Sequence, residues 1–356
     1  MLPIEWPAMP LNGVSKNPVP RVSVIMPVRG PCEHIEEAIR SILGQSYHDL
    51  ELIIVREQGS EDDLEKLVRD LDDERVVLIL NKERLGLARS LNAGIAGSRG
   101  QYIARMDADD VSAPDRIEKQ VTFLDSHPTI GVLGTHLLFT NGMPPYYNNS
   151  MLPSHPQLTR WMLHFHNAVA HPSVMMRREV WERANGYRPE AEPCEDYELW
   201  LRAMRFTDIV SIPKQLVAFR TGEGSVSSTR REEQKRKAQE LAIKALQITL
   251  GRPLDEATAL GAIRPYSISA PREGVGAAHL IYSLYTNFLW WEKVRGRELT
   301  WIQKDIGERL SHILARSVKV GPAYAPMVLW QASRFGPKVF LRLMAELQAR
   351  GAEMLR

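Results

Sequence analysis

Short apolar runs alternate with amphipathic stretches from residue 21 to residue 106. Arg21–Met26 reads as an apolar strand stopped by Pro27. Glu33–Gln45 places Ile35, Ala38, Ile39, Ile42 and Leu43 on one helical face, with charges opposite. Leu50–Val55 is almost continuously apolar, as expected of a strand with helices over both sheet faces. Asp62–Leu71 predicts a charged helix with Leu64, Leu67, Val68 and Leu71 inward, Val76–Leu80 a third strand, and Leu87–Ala96 a third helix with Gly97 and Gly100 near its end. Tyr102–Met106 is the fourth strand. This alternation predicts an α/β fold around a parallel, doubly wound sheet.

Beyond it the pattern is less regular. Ile130–Leu133 and Leu137–Thr140 read as two short apolar stretches, followed by a Pro- and Asn-rich loop, Met143–Ser150, of the kind that carries specificity. His164 and His166 lie on or beside an amphipathic stretch, Trp161–Phe165. Their spacing would suit a metal site on a strand, but a surface or core role is the commoner use. Val174–Arg177 predicts a strand and Arg178–Ala184 a helix closed by Asn185-Gly186. Glu195-Asp196 precede a helix over Tyr197–Met204. Phe219–Thr229 is polar with two glycines, readable as a loop that closes on a ligand or as an inter-domain linker. Arg230–Leu250 starts very basic and continues as an amphipathic helix. Gly274–Arg295 is apolar and aromatic, and Trp301–Val318 and Lys338–Arg350 complete a helical region. The expected division is an irregular lead-in over 1–20, a catalytic domain over 21–230 and a helical C-terminal region over 231–356.

Composition narrows the class only a little. The 356 residues are 44% hydrophobic and 25% charged, ordinary for a globular protein. A formal charge of +2 gives no reason to expect nucleic-acid binding. Cys32 and Cys194 form no disulfide framework, which suits a reduced, cytoplasmic setting. The Pro-rich start lacks a signal-peptide layout, and no apolar run reaches the roughly 18 residues of a membrane span.

The chemistry concentrates where the fourth strand ends in three carboxylates, Asp107, Asp109 and Asp110. Acids at the C-terminal end of a strand in an open α/β sheet face the ligand crevice. Asp-x-Asp can share one hard divalent cation, Mg²⁺ or Mn²⁺, whose other positions go to substrate phosphates. The plainer alternative is that these acids cap the next helix. A dinucleotide-binding site would need Gly-x-Gly-x-x-Gly after the first strand, where Pro27-Val28-Arg29-Gly30-Pro31 stands, and no Walker-type loop is present. Bound phosphates would therefore depend on a metal at Asp107 and Asp109.

These residues resemble the family 2 glycosyltransferases of GT-A fold. The resemblance is carried by Tyr102-Ile-Ala-Arg-Met-Asp-Ala-Asp-Asp110, Pro114-Asp-Arg-Ile-Glu-Lys-Gln120 and Gly131-Val-Leu-Gly134. Upstream it includes Val22-Ser-Val-Ile-Met-Pro27, Glu36–Gln45 and Gly86–Asn92; downstream His171-Pro-Ser173, Gly186-Tyr187, Glu195–Arg202, Phe219-Arg220 and Gly224-Ser225. It covers roughly residues 21 to 228, and the order and spacing together are specific where no single motif is. The nearest members are bacterial enzymes that assemble exopolysaccharide, capsule or O-antigen units.

The resemblance implies a GT-A nucleotide-sugar-binding sheet, mostly parallel and Rossmann-like, with a helical C-terminal region. It implies that Asp107 contacts the ribose and Asp109 holds Mn²⁺ or Mg²⁺ on the diphosphate. Asp196 of the Glu195-Asp196 pair becomes the general base of an inverting transfer. Pro27 lies by the uracil with Arg89 near it, and Arg220 lies near phosphate. The partners are a nucleotide-sugar donor, most simply a UDP-sugar, and a saccharide or lipid-linked acceptor. Two positions depart from the family pattern. Arg56-Glu57-Gln58-Gly59-Ser60 stands where Asp-Asp-Gly-Ser is usual, so Glu57 is expected to replace the acid that holds the nucleoside, with Gln58 an extra turn residue. Gly222 stands where a histidine is common. A sugar nucleotidyltransferase would want a Gly-rich basic loop after the first strand, and a non-catalytic sugar or nucleotide binder draws support only from the altered segment at 56–58. The C-terminal region matches no motif. It reads either as a packing bundle or, through Trp290, Trp291, Trp301, Trp330 and Phe340 beside Arg295, Arg297, Lys319, Arg334, Lys338 and Arg342, as a peripheral contact with the membrane surface at its cytoplasmic face.

Overall fold

The computed structural model describes residues 19–30, 33–58, 63–140, 152–220 and 230–354. Most of the N-terminal lead-in, Cys32, Gly59-Ser60, the Met143–Ser150 loop and the Thr221–Thr229 loop with Gly222 lie outside the described residues. The chain forms two units: one of residues 1–152 and 169–230, the other of 153–168 and 231–356.

The first unit is built on an eight-stranded sheet: β1 (Val22–Val28), β2 (Leu50–Arg56), β3 (Val76–Leu80), β4 (Tyr102–Arg105), β5 (Val111–Ser112), β6 (Ile130–Phe139), β7 (Met175–Arg177) and β8 (Asp208–Phe219), in the order β3-β2-β1-β4-β7-β6-β8-β5. The first four strands pair in parallel, as their alternation with α1 (Ile35–Leu43), α2 (Leu64–Leu71) and α3 (Leu87–Ala96) requires. β7 runs antiparallel to both β4 and β6, so the second half is mixed. One face of the sheet, with Val22, Val24 and Met26, packs against Ala38, Ile39 and Ile42 of α1. On the other face α3 lies so close that a Cβ at Gly94 would meet Ile25 Cγ2 at 2.7 Å, which is why glycine stands there.

Two sequence expectations need correction, and one strand was not foreseen. Pro27 does not stop β1; it lies within the strand opposite Val55. Ile25, two residues earlier, accepts Met106 N–H across the β4 edge, and β4 pairs no further than Ile25. The missing N–H of Pro27 faces that same edge, beyond the ladder, so no sheet bond is lost. The two stretches at 130–140 are one strand, β6, with register shifts around Thr135 and His136. Its parallel partner β8 was not legible, because Pro213 and Lys214 interrupt the apolar pattern; they fall where the pairing jumps from Ile212 to Gln215.

The second unit is helical: α5 (Pro156–Met162), then α8 (Arg231–Leu250), α9 (Glu256–Ile263), α10 (Pro271–Glu292), α11 (Gly296–Val320), α12 (Ala325–Ser333) and α13 (Pro337–Met354). Segment 153–168, placed by sequence in the catalytic domain, packs with these helices. Trp161 is fully buried in their core and donates its Nε1–H to Asp305 at 2.7 Å. His164 donates from Nδ1 to Arg160 O (2.9 Å) and accepts at Nε2 from Thr249 Oγ1 (2.9 Å). Burial holds both His164 and His166 down to about 4, so both are neutral, His164 buried and His166 half-buried. No helix among the described residues is long and apolar enough to cross a membrane.

Candidate active site

The three carboxylates after β4 are positioned by two helices. α4 (Arg116–Ser126) starts without a side-chain cap of its own. Gln45, just past α1, supplies one: its Oε1 accepts Ile117 N–H at 3.0 Å while its Nε2 donates to Ala113 O at 2.7 Å. That fixes the first turn of α4, from which Arg116 reaches back under the site. Its fully buried guanidinium donates to Arg105 O (2.8 Å) and Gln120 Oε1 (3.0 Å), and Gln120 donates to Leu133 O and Ser173 O. Burial first, and then the neighbouring Arg105 charge, lower Arg116 to about 9. The Pro114–Gln120 motif is thus a brace for the end of β4.

Asp107, Asp109 and Asp110 each present a carboxylate oxygen within 4.8 Å of the others. Arg105 pairs with Asp107 through both guanidinium termini, Nη1 donating at 2.5 Å to Oδ2. Arg220 closes the other side: its backbone N–H donates to Asp110 Oδ1 (2.9 Å), its Nη1 to Asp109 O (2.7 Å) and its Nη2 to Glu37 Oε2 (2.7 Å). Burial, then the Asp107 charge, push Asp109 above the usual carboxylate range, and the same two causes lift Asp110 to about 8. Asp110 Oδ2 is buried without a hydrogen-bond partner. Crowded carboxylates that resist ionisation, one with an orphaned oxygen, are a donor set that a hard divalent cation fits.

A second cluster forms where α7 (Glu195–Ala203), the helix after α6 (Arg178–Arg183), begins. The expected helix start at Tyr197 is two residues late: Glu195 and Asp196 stand inside the first turn, where the helix dipole favours acids. His171, Glu195 and Asp196 also bring ligand atoms within 4.8 Å of one another. His171 Nδ1 lies 3.8 Å from Glu195 Oε1, and its Nε2 pairs with Tyr187 Oη at 3.0 Å. Asn92 on α3 holds Tyr187 by accepting its N–H (2.9 Å) and donating to its carbonyl (2.8 Å). Gly186 sits at φ 69° directly under that amide, so neither the backbone nor the space admits a side chain. Asp196, the more exposed acid of the pair, accepts Tyr197 N–H at 2.7 Å.

Burial and then Asp196 raise Glu195 to about 8, while burial and then Arg105 hold His171 well below its ordinary value. At neutral pH Glu195 therefore keeps its proton. The unfolded chain releases that proton near 4.5, so between that value and about 8 the folded state holds more protons, and stability falls as pH rises. The expected result is a Tm that declines from about pH 5 to about pH 8 in chelator, with part of the decline removed in Glu195→Gln. A Tm that is flat or rises across that range contradicts the assignment.

Glu57 is 5% exposed. Its Oε1 accepts Gly86 N–H (2.7 Å) and the Ser90 hydroxyl (3.3 Å), so it shapes the turn into α3 rather than standing open to solvent. Glu192 assists from the other side by accepting Ala88 N–H at 2.7 Å. Arg89 projects from this same first turn and is exposed, while Pro27 is half-buried at the end of β1. Glu57→Ala should lower Tm by unmaking the turn, with Glu57→Gln largely restoring it, and an unchanged Tm of Glu57→Ala in thermal melting would contradict this structural role.

Arg105, His171, Tyr187 and Glu192 were not read as site residues. Arg105 had a signal: a lone arginine in an apolar strand must find a buried partner. Its guanidinium is felt by Asp109 and Asp110 in one cluster and by His171 and Glu195 in the other.

The sheet is GT-A-like, and the chain belongs to glycosyltransferase family 2: the family "Glycosyl transferase family 2" matches residues 23–183, and glycosyltransferases of which the chain covers more than two thirds match at 31% and 33% identity. Among its relatives are an uncharacterized glycosyltransferase of Haemophilus influenzae, 31% identical over 238 residues (62% of this chain, 72% of that one). The putative glycosyltransferase EpsE of Bacillus subtilis is 36% identical over 52% of this chain and 67% of its own. The O-antigen biosynthesis glycosyltransferase WbnJ of Escherichia coli is 33% identical over 51% and 71%. Residues 1–349 of S. aureus TarS, crystallised with UDP-GlcNAc, share the fold with a TM-score of 0.55 at 15% identity, over 94% of this chain and 92% of that one.

Proposed function

We propose that this enzyme transfers a sugar, with inversion, from a UDP-sugar to a saccharide or lipid-linked saccharide during assembly of a surface polysaccharide. The observation that carries the reading is the pair of carboxylate clusters with one buried guanidinium, Arg105, bearing on both. Two chemically separate jobs need two such groups. Asp109 would hold Mn²⁺ or Mg²⁺, with Asp107 toward the ribose; when bound, the cation supplies Lewis-acid neutralisation of charge on the diphosphate. Asp196 takes the proton of the acceptor hydroxyl as its oxygen attacks the anomeric carbon. Burial favours the protonated form of Glu195, which makes Asp196 the acid of the pair proposed for this role. Arg220, the residue that follows β8, is tied to Asp109 and Asp110.

The polysaccharide setting draws support from the named role of WbnJ, and the UDP donor from the UDP-GlcNAc bound to TarS. The proposed location is the cytoplasm, peripheral on the inner face of the cell membrane, where a lipid-linked acceptor would be met. A thermal-shift panel of UDP, GDP, dTDP and CMP with and without Mn²⁺ tests the donor site, because a ligand that binds only the native state raises Tm by mass action. A Mn²⁺-dependent shift with UDP is expected, and equal small shifts with all four nucleotides would overturn it. A non-catalytic binder would give the UDP shift with no release of sugar from any UDP-sugar.

A further inference from the structure

In the helical unit, α10 buries Ala277, Ile281, Leu284 and Phe288 on one side. Its other side carries His279, Ser283, Thr286 and Trp290, spaced four, three and four residues apart, which is one continuous helical stripe. That stripe borders a cavity of about 520 Å³, which Arg252 beyond α8, Arg334 beyond α12, Asn287 and Trp291 also line. The lining has two arginines and a histidine and no carboxylate. Neither arginine forms an ion pair with an acid among the described residues. Arg334 is held in place by aromatic faces, with its guanidinium carbon 4.1 Å from the Tyr282 ring centre and 5.4 Å from that of Trp330. Its Nη1 donates to Gln331 Oε1 at 3.1 Å.

Around these cations three indoles stand in water: Trp290 is 78% exposed, Trp291 73% and Trp330 62%. Met327, one turn before Trp330 on the same face of α12, is 49% exposed. Apolar surface of this kind, gathered beside unneutralised charge, marks a contact site rather than chance exposure. Two chemistries are thus wanted at one place, an anion for Arg252 and Arg334 and a partly apolar boundary for the indoles.

We propose that this cavity and its tryptophan rim seat the phosphate of an anionic phospholipid headgroup at a bilayer surface. The guanidinium groups take the phosphate oxygens, and the indoles sit at headgroup depth, where tryptophan's apolar body and polar N–H are both satisfied. A free phosphate would answer the arginines and leave the indoles in water. An uncharged saccharide would stack on the indoles and leave the arginines unneutralised, in a site with no carboxylate to accept sugar hydroxyls. The proposal rests on the peripheral-membrane reading and sharpens it to a site.

The test is co-sedimentation of the full chain with vesicles of phosphatidylglycerol and phosphatidylcholine, and of phosphatidylcholine alone, at low salt. The wild type should bind the anionic vesicles, with a blue shift of tryptophan fluorescence, and largely ignore the neutral ones. Arg252→Gln/Arg334→Gln should weaken binding roughly thirtyfold, taking about 1 kcal/mol per surface base. Trp290→Ser/Trp291→Ser should abolish most of the fluorescence shift. All four side chains are exposed or at a cavity rim, so both variants should melt as the wild type does. Full retention of vesicle binding by the arginine pair variant overturns the site while leaving the peripheral reading intact. No binding of the wild type to either vesicle overturns both. Protection by inorganic phosphate or glycerol phosphate without vesicle binding, or a response to neutral oligosaccharide alone, also overturns the lipid assignment.

Discussion

Asp109→Asn should fold normally, lose Mn²⁺-dependent binding of nucleoside diphosphate, and fall by about 10³-fold or more in kcat/KM, the measure of several kcal/mol of lost charge stabilisation. The fold should survive because Asp109 is only half-buried and its carboxylate is already disfavoured by burial and by Asp107. A neutral amide relieves that repulsion, so the metal-free Tm of the variant should equal or exceed that of wild type. Added Mn²⁺ with UDP should raise the wild-type Tm and leave the variant unmoved. Wild-type turnover by Asp109→Asn in Mn²⁺ or Mg²⁺ would show that the cation, if used, is held elsewhere.

Asp196→Asn should lower kcat by about 10²–10⁴-fold, the range of a lost general base, while UDP affinity stays near wild type. The substitution keeps an oxygen able to accept Tyr197 N–H, the bond that fixes the residue in the first turn of α7, so the geometry should persist without the proton acceptor. The two variants therefore separate binding from chemistry: one fails before the ternary complex, the other after it. Turnover measured at saturating donor distinguishes them, since Asp196→Asn should stay slow there. Proton NMR of the first-formed product should show a β-linkage from an α-linked donor, and retained configuration would remove Asp196 from the role of base.

How much of this could be read from residues alone depended on how locally each feature is determined. The first four strands and their helices were legible because each carries its own period. Helix α3 spans Leu87–Ala96 as its apolar spacing predicts. β8 was not legible, since its continuity depends on a partner that absorbs a bulge at Pro213 and Lys214. The short helices α9 and α12 escaped for a related reason: prolines and glycines at 251–253 and 321–326 punctuate a pattern that only the surrounding core completes. Asp107, Asp109 and Asp110 were legible because carboxylates at a strand end stand out, whereas Glu195 and Asp196, at a helix start, were singled out only through the family resemblance. Their supports were not legible, because whether Arg105 turns toward Asp107 two residues on, or His171 meets Tyr187, is decided by the tertiary packing around them rather than by local pattern. Glu57 shows the limit most directly: its place at the end of β2 was apparent, but that its carboxylate would turn toward Gly86 was not.

The brace formed by Gln45, Arg116 and Gln120 bears on how damage to this enzyme would look from outside. None of the three is among the acids, yet Arg116 fixes the strand end that carries them, Gln120 holds Arg116, and Gln45 fixes the helix that carries both. In a random loss-of-function screen, changes at these positions would be recovered beside changes at Asp109 and Asp196 and would share their phenotype. Soluble yield would tell the groups apart, because a severed brace leaves buried polar groups unsatisfied whereas an amide in place of a crevice carboxylate does not. A map of inactivating positions on this chain would thus trace a band from α1 through α4 to β4, wider than the chemistry it protects.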